Sequence, residues 1–238
     1  MIALLALALA AADPAARLAG ANALYLDGDF EGAARAYEAM RAEGLDGPDL
    51  NLNLGNANLR LGRRGLALAS YERALRIDPG DADARHNLGI ALAGNVDRLV
   101  GAAEHSLPER VAARLSDRAV SALFAAAWIA LWASLAVRRR AGGRTRPILA
   151  AAAPAAAAAC LAGGLLLGAK ILDRRTPAAI VIAPATVARE GPSRTLRPSF
   201  ELHEGTRVRL LEARDDLLRV RLGNGLEGWV EASDLERI

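Results

Sequence analysis

Residues 48–81, PDLNLNLGNANLRLGRRGLALASYERALRIDPGD, decide how the N-terminal part of the chain folds, because this segment matches its flanks at one fixed offset. Gly28 pairs with Gly62, Ala33 with Ala67, Tyr37 with Tyr71 and Glu38 with Glu72, while Asn53, Leu54 and Gly55 pair with Asn87, Leu88 and Gly89. Every pair is 34 residues apart. A constant period of this length marks an architecture in which each unit buries its apolar face only against its neighbours. The copies begin near Pro14, Pro48 and Ala82, and the third loses the pattern after Gly94.

Period and residue set together resemble the tetratricopeptide repeat. That resemblance implies two helices per copy, A and B. Leu54 and Gly55 lie where helix A must be thin, Ala67 and Ala74 where helix B approaches it, Tyr71 in the gap between units, and Pro79 where helix B ends. Residues 13–98 are therefore expected to form an α-solenoid, closed by an atypical helix and linker within 99–117. The resemblance also implies a concave groove lined by the A helices. Its polar candidates are Asn22, Asn53, Asn56, Arg60, His86 and Asn87, since a carboxamide both donates to and accepts from a peptide backbone. In the chaperone-tail clamp of this repeat family, two asparagines and three cations hold a terminal carboxylate. Asn22 and Asn53 match those asparagines, whereas Leu18, Asp83 and Asn87 stand at the cationic places. The expected ligand is a protein or peptide segment.

Composition points to a second kind of region. Of 238 residues, 53% are hydrophobic and 24% charged, and the mean hydropathy is +0.15. So much of both suggests that they are segregated along the chain. Three uncharged runs, Ile2 to Ala12, Ala119 to Val137 and Pro147 to Ala169, carry the excess. Residues 1–12 read as a signal peptide, too short to span a bilayer and ending in Ala10-Ala11-Ala12. Residues 118–138, with Leu123, Phe124, Trp128, Ile129 and Trp132, read as one transmembrane helix, and the alanine-heavy residues 148–170, bent at Pro154, as another. Gly164 and Gly168 have the spacing of close helix contact, either with a second copy or between the two spans. Residues 139–147 form a short loop that, with the preceding Arg138, carries Arg139, Arg140, Arg144 and Arg146 and no acid, and so is expected in the cytoplasm. Both soluble parts then lie on the periplasmic side of a bacterial inner membrane.

Several chemistries are excluded. Cys160 is the only cysteine, so neither a disulfide framework nor a cysteine-based zinc site is available. Net charge is +3, but Lys170 is the only lysine and arginines alternate with acids over most of the chain, which is no footprint for nucleic acid. His86, His105 and His203 fall in separate segments, and no phosphate-cradling loop or nucleophile elbow is present. We expect no enzyme, cofactor or metal.

After a linker at 171–179, the pattern becomes alternating. Val187, Val208 to Leu211, Leu218 to Leu222 and Gly228 to Val230 read as short strands, with a hairpin turn at Gly223-Asn224-Gly225. Strands this short need closure into a small barrel. Residues 180–238 resemble a bacterial SH3 domain through Arg189-Glu190-Gly191-Pro192-Ser193, Leu202-His203-Glu204-Gly205-Thr206 and Gly228-Trp229-Val230. Leu217 or Leu218 stands where such domains often carry tryptophan, leaving Trp229 and Phe200 as the large aromatics. Trp229 is the binding candidate here, and a proline-rich ligand is not expected because the aromatic-lined groove is missing.

The module order, with Phe200-Glu201-Leu202-His203-Glu204-Gly205-Thr206 in the terminal barrel, is similar to that of the BatE-like proteins of bacterial aerotolerance operons. The resemblance implies a membrane-anchored scaffold in an envelope complex with von Willebrand A-domain membrane proteins and an AAA+ ATPase. The alternative is a peptidoglycan tether acting through the terminal barrel. The whole is expected to be a multidomain membrane protein: α-solenoid, two transmembrane helices and a small all-β barrel.

Overall fold

The computed structural model describes residues 13–93, 117–140, 146–175 and 177–238. The expected signal segment, nearly all of the expected closing helix, and residues 141–145 of the arginine-rich loop lie outside the described residues.

Among the described residues five helices build the repeats: α1 Pro14–Leu26, α2 Phe30–Ala42, α3 Pro48–Arg60, α4 Arg64–Ile77 and α5 Ala82–Leu92. The A helices α1, α3 and α5 start 34 residues apart, as do the B helices α2 and α4. Local chemistry sets these boundaries. Asp13, Asp29 and Asp81 accept hydrogen bonds from backbone N–H groups in the first turns of α1, α2 and α5, and Pro14 and Pro48 open α1 and α3. Gly28 and Gly62 turn the chain between A and B with φ of +85° and +77°, a region that glycine enters without steric cost. Gly55 shows why helix A must be thin there, since a Cβ would lie 2.5 Å from Cε1 of Tyr71. Ala33, Ala34, Tyr37, Leu50, Leu54 and Ala57 form one core, and Ala67, Leu68, Ala69, Tyr71 and Ala91 a second.

Two longer helices follow, α6 Asp117–Arg140 and α7 Arg146–Arg175. Among the described residues only α6 is long and apolar enough to cross a membrane, through Ala119–Val137. In the described part of α7 the apolar run is Ala153–Gly168. The expectation of two spans is thus met by one helix. The two helices pack on each other where Gly163 and Gly164 face the Phe124 ring, with a Cβ on Gly163 falling 3.3 Å from that side chain. Small residues here serve the intrachain pair, while Gly168 has nothing within 4 Å of its Cβ position. Leu123, Ile129, Trp132, Leu161, Leu165 and Leu172 are exposed.

Seven strands complete the chain: β1 Ala178–Val181, β2 Ala185–Arg189, β3 Pro198–His203, β4 Arg207–Arg214, β5 Leu217–Arg221, β6 Glu227–Glu231 and β7 Leu235–Arg237. They form one antiparallel sheet in the order β3-β2-β6-β5-β4-β1-β7. Every strand sends at least one residue into a single core that runs from Leu202 of β3 to Leu235 of β7. The sheet therefore bends until both edge strands reach one interior. The expected turn is present, with Gly225 at φ +88° and Leu222 N–H donating to Leu226 O at 2.9 Å. The expected linker at 171–179 is largely structured, since α7 runs to Arg175 and β1 starts at Ala178. Alternation could not reveal β1 because all four of its residues are buried. Ala179 and Val181 enter the sheet core, while Ile180 enters the core of the second repeat.

Candidate peptide-binding face of the repeats

The A helices bring four of the expected groove residues together in two equivalent clusters. In the first, the Oδ1 of Asn22 accepts from Tyr37 Oη at 2.7 Å and from Asn53 Nδ2 at 3.0 Å. In the second, the Oδ1 of Asn56 accepts from Tyr71 Oη at 2.9 Å and from Asn87 Nδ2 at 2.8 Å. Each member of the second cluster lies 34 residues after its counterpart. A buried tyrosine on helix B thus orients an asparagine on helix A, which in turn fixes an asparagine on the next helix A.

In this arrangement each amide keeps one side unused. The acceptor oxygens of Asn22 and Asn56 are doubly used, and their NH2 groups have no hydrogen bond among the described residues. Asn53 and Asn87 are the reverse, with a used donor and an unused oxygen. Each half-buried pair offers one donor and one acceptor side by side, the complement of one peptide group. Burial pushes the Tyr37 phenol up to about 12, helped slightly by Tyr25, and moves Tyr71 the same way. Both hydroxyls remain protonated donors at neutral pH.

The other expected residues stand apart from these clusters. Arg60, at the end of α3, is exposed and stacks its guanidinium 4.5 Å from the centre of the Phe30 ring. His86 is exposed on α5. Trp229 belongs to the β-module and is 7% exposed; it lines a cleft of about 240 Å³ with Thr186, Arg189, Leu217, Glu231 and Asp234. Phe200, the other large aromatic there, is half-buried against the sheet core.

Two features were missed at the level of sequence. Its place in the gap between units gives Tyr71 no polar partner, although the 15-residue separation of Tyr37 from Asn22 recurs between Tyr71 and Asn56 and marks both as partners. The contact between α4 and the β-module was not expected at all. Gly65 N–H donates to Glu204 Oε1 at 2.7 Å, Arg76 Nη1 to Ile238 O at 2.7 Å, and Arg73 to Glu236 and to the carbonyl of Arg237.

Comparison with known families bears on the helical part. Residues 65–96 match the TPR repeat. The match covers most of α4 and α5, and repeats of this kind generally bind protein partners. No curated protein matches the chain.

Proposed function

We propose that this chain is a membrane-anchored adaptor, a binding protein and not an enzyme, whose A helices hold an extended segment of a partner protein through the two asparagine pairs. One observation carries the reading: the B face of the second repeat is already covered by β1 and β7, while the A face presents unused amide donors and acceptors at a fixed period. A segment recognised this way is read by its backbone, with little demand on its charge. Anchoring through α6, with α7 packed on it, is supported by the large apolar side chains both leave exposed, which lipid would cover.

In this reading the β-module is an SH3-like domain. The chain is a BatE-like scaffold of an inner-membrane complex, with both soluble parts periplasmic and the arginine-rich loop cytoplasmic, serving aerotolerance or stress response. Its partners are membrane-anchored von Willebrand A-domain proteins associated with an AAA+ ATPase. Two experiments test it. Carbonate washing should leave the full chain in the membrane pellet, and its release would refute the anchor. A photo-crosslinking residue at Arg60 should capture one specific protein in intact membranes, whereas the same label at Ala39 on helix B of the first repeat should not. Equal labelling from both positions would refute binding on the A face.

A further inference from the structure

The two B helices come from equivalent positions of the repeat, yet they differ at the places where α4 meets the β-module. Asp29 caps α2 with a 2.8 Å bond from Gly32 N–H; its counterpart on α4 is Arg63, which caps nothing. The missing acceptor comes from Glu204 of the β-module, bonded to Gly65 N–H. Glu31 becomes Gly65, where a Cβ would fall 2.7 Å from Val181 O and 2.9 Å from Ile182 Cα. Exposed Arg35 becomes Ala69, which is fully buried. Exposed Ala39 and Ala42 become Arg73 and Arg76, which grip the last strand.

From this set of departures we infer that α4 is a dedicated docking surface whose ligand is the chain's own β-module, so that residues 13–93 and 177–238 act as one rigid body. The apolar centre of the contact is Ile180 and Ile238 against Ala67, Leu68 and Ala69, and its rim is charged, with Arg41 and Arg73 on Glu236 and Glu72 on Arg207. Solenoid and sheet are then not two binding modules on a flexible tether. A partner meets one surface of fixed geometry, open on the A helices and closed on the B helix of the second repeat. The inference stands whether or not the asparagine pairs bind peptide.

Gly65→Ala gives a test whose sign is diagnostic. In an undocked helix this change stabilises, because glycine is a poor helix former. In the docked chain the new methyl meets the Val181 carbonyl. With the full chain in detergent, we expect Gly65→Ala to lower the melting temperature and to speed amide exchange in β1 and β7 by on the order of tenfold. Arg73→Glu should do the same, and adding Glu236→Arg to it should restore much of the protection. A melting temperature raised by Gly65→Ala, with exchange in β1 and β7 unchanged in both single variants, would overturn the inference.

Discussion

Asn58 stands where the neighbouring copies carry Leu24 and Leu92. It is 1% exposed, and its Oδ1 has no hydrogen-bond partner. A buried, unsatisfied amide costs about 1–3 kcal/mol, so Asn58→Leu should raise the thermal midpoint, by an amount corresponding to about 1 kcal/mol once imperfect packing is deducted. A lower midpoint by differential scanning fluorimetry would show that the amide is held by something else. Tyr37 yields a second expectation. Its folded-state pKa lies above the unfolded value of 10, at about 12. Between those values the unfolded chain has released a proton that the folded chain retains, so the contribution of Tyr37 is complete below pH 10 and is lost as pH rises towards 12. Alkaline unfolding followed by circular dichroism should fall in that window, and a fold unchanged beyond it would refute the assignment. That these asparagines recur at equivalent places of successive A helices was legible from the period. Their orientation was not, because it depends on hydroxyls that arrive from another helix.

The pair α6 and α7 shows what an element reveals and what it hides. A run of leucine, isoleucine and tryptophan made α6 legible, whereas alanine is nearly neutral towards lipid and left the reach of α7 to be decided by its few larger residues. Spacing suggested close contact at Gly164 and Gly168, but the structure puts the tightest approach at Gly163, against Phe124. Gly163→Ile should therefore weaken the pair by about 1–3 kcal/mol, whereas Gly168→Ala should be silent. Thermal stability of the two variants in the same detergent separates them, and equal loss would place the contact elsewhere. Within the repeats, boundaries were readable because aspartate, proline and glycine act locally. β1 was unreadable because two different cores bury it and erase its alternation.

At the scale of the whole molecule, module order was visible in the sequence and the contact between repeats and sheet was not. Glu204 and Gly65 are 139 residues apart, and Arg73 and Glu236 are 163 apart. No local pattern reports such a pairing. The trace it left is the departure of the second repeat from the first, an arginine where an aspartate should cap and a glycine where the other copy has glutamate. Glu204→Ala should accordingly destabilise a helix remote in sequence, by about 0.5–2 kcal/mol, with faster amide exchange in the first turn of α4. Exchange altered only near residue 204 would contradict this.

The borrowed cap also bears on how the gene can be divided. A fragment carrying the helical hairpins alone would leave the first turn of α4 without its acid and strip Leu68 and Ala69 of the cover given by Ile180. Such a truncation would present a sticky flank of the protein's own making, and any binding seen with it in a pull-down would report that wound instead of the native ligand. Expression fragments meant to find partners should keep the last sixty or so residues in place.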